Sequence, residues 1–297
     1  MPASPAARPR PDEPARRPRL GIALVPGQVL YQLVLLARSP MGPFISIIIP
    51  LMLLIALNLV TPEMTLQSLG KIRVIQFLTP AMASFAVLNA GFVNIIIGMT
   101  LGREKGILKR FRSTPLPTWA YLAGRLGAAA IVAALAAGVV SGVGIVVLHA
   151  HLATSAIPSL IGTFALGFAT FCALGMAASA LVPSPDAALP LAYGVLLPIA
   201  FVSQVFFPAP TEAAWLRHLA DALPVAPFAN AMEAAFSRRP HGLTLRQLLV
   251  LIAWGVGGFL FTVATYRWEP RRQRGDRRWS RVLWDRTSRP EARFEGS

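Results

Sequence analysis

Lys105, Lys109 and Arg112 recur at i, i+4 and i+7, and Ile107, Leu108 and Phe111 at i, i+1 and i+4. On a helix these positions make one basic and one apolar face. The chemistry on offer is recognition rather than bond breaking. A charged helix of this kind at the membrane surface can be pushed on by something outside the membrane. Arg103 and Arg110 add further cations, and Glu104 lies among them. Gly106 loosens the junction with the preceding segment. Pro115 and Pro117, after Thr114, stop the helix. Trp119 and Tyr121 then mark an interface before the next apolar run. A charge cluster that only fixes membrane topology accounts for the same pattern equally well.

No other segment offers reactive groups in a useful arrangement. There is no GxxxxGK[ST] loop, so the chain does not hold ATP by that route, and there is no HExxH or GxSxG. His149 and His151 form a lone HxH, and a metal would need further ligands. His218 and His241 have no obvious partners. A single cysteine, Cys172, in an apolar run excludes an intrachain disulfide.

These residues must be positioned by membrane helices. The 297 residues are 55% hydrophobic and 14% charged, with mean hydropathy +0.57. Soluble domains carry about 25% charged residues. Six segments have the roughly 20 apolar residues that a span needs: about 41–60, 77–101, 119–148, 157–182, 187–207 and 248–266. Residues 27–38 are too short and too polar to span. Gln28, Tyr31 and Gln32 fall on one face, with Val29, Leu30, Leu33, Val34 and Ala37 opposite, so an interfacial helix is expected. Between the fifth and sixth spans, Trp215–Leu223 and Phe228–Phe236 read as interfacial or re-entrant helices. The predicted class is an all-α polytopic membrane protein. Residues 1–26 form a basic tail without the apolar core of a cleavable signal peptide. Residues 27–267 form the membrane domain and 268–297 a second basic tail.

The net charge of +15 follows from topology rather than from nucleic-acid binding. Six Arg precede the first span, six Lys/Arg lie in 101–125 and ten Arg follow position 266. The opposite side keeps six, so the first set is expected to be cytoplasmic, with both termini inside. Span interiors hold almost no charge. Ion-coupled carriers usually keep an intramembrane ionisable group, and a lipid-modifying membrane enzyme needs a polar or metal cluster. Neither signal is visible. Asn58, Asn89, Asn94 and Gln204 are the main polar side chains inside. They serve interhelical hydrogen bonds, the commoner use, or line a substrate path.

The run GREKGILKRFRSTPLPTWAYLAGR resembles the signature region of ATP-binding-cassette type-2 transporter permeases, R-E-x-G-x-L-x-R-x-x-x-T-P-L. Arg103, Glu104, Gly106, Leu108, Arg110, Thr114, Pro115 and Leu116 match it position by position. FLTPAMASFAVLNAGF, residues 77–92, is similar to that family's second span, and the resemblance extends over 27–267. At the outer segment Val225-Ala226-Pro227 stands where the family often has Asn-Pro.

The resemblance implies the permease subunit of an exporter in a bacterial plasma (inner) membrane. Two ATPase subunits and a second permease, identical or homologous, would complete it. ATP would bind the ATPase, leaving this chain without a cofactor and without catalysis. Residues 103–115 would be the coupling helix. The small-residue-rich spans suit a hydrophobic, drug-like or lipidic cargo.

Overall fold

The computed structural model describes residues 24–38, 41–61, 65–66, 72–106, 118–206, 214–237 and 242–265. Six of its helices are long and apolar enough to cross a membrane. The first two elements are α1 (Leu24–Arg38) and α2 (Met41–Val60). A two-residue β-pairing, β1 (Thr65–Leu66) with β2 (Ile72–Arg73), closes the connection to the second span. That pairing has no sequence signature at this length.

The second span is one continuous rod of 31 residues, Val74–Glu104. It comprises α3 (Val74–Leu88), a π-helical turn (Asn89–Val93) and α4 (Asn94–Glu104). At 1.5 Å per residue the rod is about 46 Å long, against roughly 30 Å of hydrocarbon. It is also the core of the bundle: 83% of its apolar window is buried, against 11–44% for the other five spans. The expected limits, 77–101, fall three residues short at each end. Gln76 and Arg103 look like loop residues because they are polar, yet each is used inside the fold.

Around this rod pack α2, α5 (Thr118–Val146), α6 (Ile157–Leu181) and α7 (Pro185–Val202), while α10 (Leu245–Thr265) packs on α6. Ser184 accepts a hydrogen bond from the Ala187 N–H and caps α7, with Pro185 at its first turn. The fifth span therefore starts earlier and stops earlier than 187–207. Between α7 and α10 lie α8 (Ala214–Ala222) and α9 (Val225–Phe236), neither long enough to cross. α9 is not a surface piece. It packs against α3, α6 and α10, and ten of its 12 residues are buried.

α1 packs along α5, but with its polarity inverted relative to a helix resting on water. Gln32 is 4% exposed, whereas Leu30, Tyr31, Val34 and Leu35 point outward. Gln28 and Val29 lie on Gly124 and Gly127 of α5, positions where a side chain would collide with them. The expected faces are thus redrawn: Val29 joins Gln28 and Gln32 on the packed side, and Tyr31 turns out with the apolar residues. The surrounding lipid, not water, decides which face turns out.

Candidate functional site

The candidate handle begins where the long rod ends. α4 stops at Glu104, and the Lys105 N–H closes on the Leu101 carbonyl at 3.0 Å. Gly106 then takes φ +58°, a left-handed conformation that glycine adopts without a Cβ penalty. Glu104 and Lys105 are exposed. Ile107, Leu108, Lys109, Arg110, Phe111, Arg112, Thr114 and Pro115 lie outside the described residues. The chain re-enters at α5, with Trp119 exposed and Tyr121 buried.

Both roots of this segment are clamped to the bundle. Arg103 turns inward and donates to the Ser179 carbonyl at 3.3 Å and to the Val182 carbonyl. These carbonyls sit at the C-terminal end of α6, where backbone acceptors lack helical partners and the helix dipole is negative. One guanidinium thus answers both needs and ties α4 to α6. Its side chain serves the fold, unlike the exposed Glu104 and Lys105. Arg103→Ala should lower stability by about 2 kcal/mol, since it removes two charge-assisted bonds from partly buried acceptors. Thermal unfolding of the purified variant checks this, and an unchanged midpoint would refute the clamp.

The other root is Arg125 on α5. Its guanidinium lies over Gly98 of α4, with Nη2 1.4 Å from where a Cβ would stand. Its Nη1 also reaches the Tyr121 hydroxyl at 3.4 Å. Only glycine at position 98 admits this packing. Residues 107–117 therefore leave and rejoin a pair of helices already locked together.

The polar residues inside the spans do not converge. Asn89 is buried in the π turn, donating to the Phe85 carbonyl at 3.0 Å and accepting from the Tyr193 hydroxyl of α7 at 2.6 Å. Asn94 donates to the Ser46 hydroxyl of α2 at 2.8 Å. Both therefore bond between helices, at different levels of the rod. Asn58 lies half-buried near the end of α2, and Gln204 follows α7 at φ +57°. Among the described residues no three His, Cys, Asp or Glu side chains group to hold a metal.

Sequence reasoning missed three features at the opposite end of the rod. Gln76 donates to the carbonyls of His151 and Phe236, and its Oε1 accepts the His151 N–H at 2.8 Å. One side chain thereby joins α3, the α5–α6 connection and the end of α9. Phe228 of α9 fills a notch above Gly167 of α6 and meets Phe171 edge-on, with ring centroids 5.3 Å apart. Glu233 is carried on the same α9, part-exposed while ten of the helix's 12 residues are buried. A lone Gln after Arg73 and a Gly in an apolar run were the only available signals.

A family model described as ABC-2 type transporter matches residues 29–236. That match runs from within α1 to the last residue of α9, and so includes the rod, the basic segment and both of its clamped roots. No curated protein and no solved structure matches the chain.

Proposed function

The chain belongs to the ABC-2 type transporter family and is a multi-pass membrane permease subunit of an ABC transporter; from that premise we propose that it is an export permease driven through residues 103–115 by a separate ATPase. Two ATPase subunits would dock on the face bearing this segment, beside a second permease, identical or homologous. That face is cytoplasmic, because 22 of the 28 Lys and Arg lie on its side. Both termini are then inside the cell, and the membrane is a bacterial plasma membrane.

ATP stays on the ATPase. When its two copies close, residues 107–112 would move with them, Ile107, Leu108 and Phe111 seated in a groove and Lys109, Arg110 and Arg112 on its acidic rim. A lever works only if its ends do not slip. The observation that carries the reading is that the ends here are fixed: Arg103 on the end of α6 and Arg125 over Gly98 of α4. Displacement of the segment would tilt α4, α5 and α6 together. ATP acts by favouring one of two bundle arrangements, and the pathway between permeases opens outward in the favoured one.

The cargo is hydrophobic, drug-like or lipidic, in keeping with spans whose interiors carry few charges. A photo-crosslinking amino acid at Lys109 or Phe111, in the full chain co-expressed with its ATPase, should yield an adduct between the two proteins. An ATPase that co-purifies yet gives no adduct at either position would place the contact elsewhere.

A further inference from the structure

α9 is apolar and enclosed along almost its whole surface. Of its 12 residues only Asn230 and Glu233 are not buried. Ser237, at its C-cap, is also part-exposed. These three fall at i, i+3 and i+7 and form one polar stripe along a single face. The opposite faces are pinned by Phe228 in the Gly167 notch and by Gln76 on the Phe236 carbonyl. The stripe is therefore held in a fixed direction, away from the subunit's own core.

Glu233 makes no hydrogen bond or ion pair among the described residues. An acidic side chain on such a helix is costly against lipid, so it belongs beside water or beside a positive charge. Glu233 is part-exposed on a helix whose other faces are packed, so a cation that settles beside it adds solvation the packed side cannot give. Asn230 adds an amide that can donate or accept one turn away. No other span or re-entrant helix among the described residues presents a carboxylate away from its ends.

We propose that the Asn230–Glu233–Ser237 face lines the exit of the translocation path and contacts the positive group of a cationic amphiphilic cargo. The apolar body of that cargo would slide along the small-residue helices, and its cation would rest on Glu233 before release. This rests on the permease reading and narrows its substrate class from hydrophobic to hydrophobic and positively charged.

The test is binding of tetraphenylphosphonium, and of its anionic counterpart of the same shape, tetraphenylborate, to the full chain in lipid nanodiscs. Wild type should bind the phosphonium saturably. Glu233→Gln should weaken that binding by about tenfold, the worth of one charge-assisted contact. Glu233→Asp should largely keep it, and tetraphenylborate should not distinguish the variants. Asn230→Lys, at an exposed position, should also expel the phosphonium and gives a second arm if Glu233→Gln folds poorly. Equal phosphonium binding by wild type and both variants would overturn the proposal, as would no saturable binding at all. So would undiminished phosphonium binding by Glu233→Cys, since the carboxylate would then be dispensable. Failure of an ATPase to co-purify with wild type would instead remove the proposed ATPase drive while the binding result stood.

Discussion

Reversing Arg110 and Arg112 together to glutamate should leave a folded complex that hydrolyses ATP and moves almost no cargo. In the sequence the two residues are interleaved with Ile107, Leu108 and Phe111, and the described chain resumes at Thr118. Opposite the acidic rim proposed for the ATPase, each reversal would replace attraction with repulsion, and like-charge contacts across an interface cost several kcal/mol. At 1.4 kcal/mol per decade, coupled transport should fall by about a hundredfold or more. Folding should survive. The clamps that hold this region are Arg103 on the Ser179 and Val182 carbonyls and Arg125 over Gly98, and neither involves residues 107–117. Orientation should survive too, because most of the cations on that side remain.

The second large effect is structural. Gly175→Leu should prevent the protein from accumulating as a stable, monodisperse species. Gly175 of α6 faces the π turn of the central rod. A Cβ there would stand 2.9 Å from the Phe92 carbonyl oxygen, 3.0 Å from that of Gly91 and 3.2 Å from the Ile95 Cβ. The first two are backbone atoms and cannot rotate away. The turn is also held in place on another side by the Tyr193 hydroxyl on Asn89. Overpacking usually costs about 1–3 kcal/mol, and with backbone as the obstacle about 3 kcal/mol or more is expected. Gly162 is the matched control on the same helix, with nothing within 4 Å of its missing Cβ. Gly162→Leu should melt close to wild type while Gly175→Leu does not. Equal melting of the two variants would mean that the rod and α6 do not meet through this glycine.

The same contact explains what the sequence could and could not tell. Six spans were legible because about 20 apolar residues in a row have no other stable use. The π turn was not, since NAGFV looks like any span interior and the extra residue in the turn depends on what α6 offers opposite. The ends of the rod were misplaced because Gln76 and Arg103 are polar, and polarity alone suggests solvent. Each instead satisfies backbone carbonyls of other segments, a demand set by tertiary packing. In α1 the spacing groups Gln28 with Gln32, but Tyr31 turns outward and Val29 packs inward beside Gln28, so the expected faces are not the ones the fold uses. Periodicity reports a difference between faces, and its sign depends on whether lipid or water lies outside.

The candidate site divides in the same way. Repeated charges at i, i+4 and i+7 can be read without knowledge of neighbours, but Lys109, Arg110 and Arg112 lie outside the described residues. That Arg103 is spent inside the bundle could not be read, since its acceptors are more than 70 residues away in sequence. Glu233 sat in a mildly apolar stretch and drew no notice. It stands out only when the other residues of α9, except Asn230, are seen to be buried.

The most direct test of a driven permease is the ratio of cargo moved to ATP hydrolysed. Inside-out membrane vesicles carrying the full chain and its co-expressed ATPase would be loaded from outside with a fluorescent amphiphile. ATP-driven accumulation and phosphate release would be measured together. The Arg110→Glu, Arg112→Glu protein should keep phosphate release near wild type and lose accumulation. Accumulation per ATP equal to wild type would contradict the coupling role of residues 103–115.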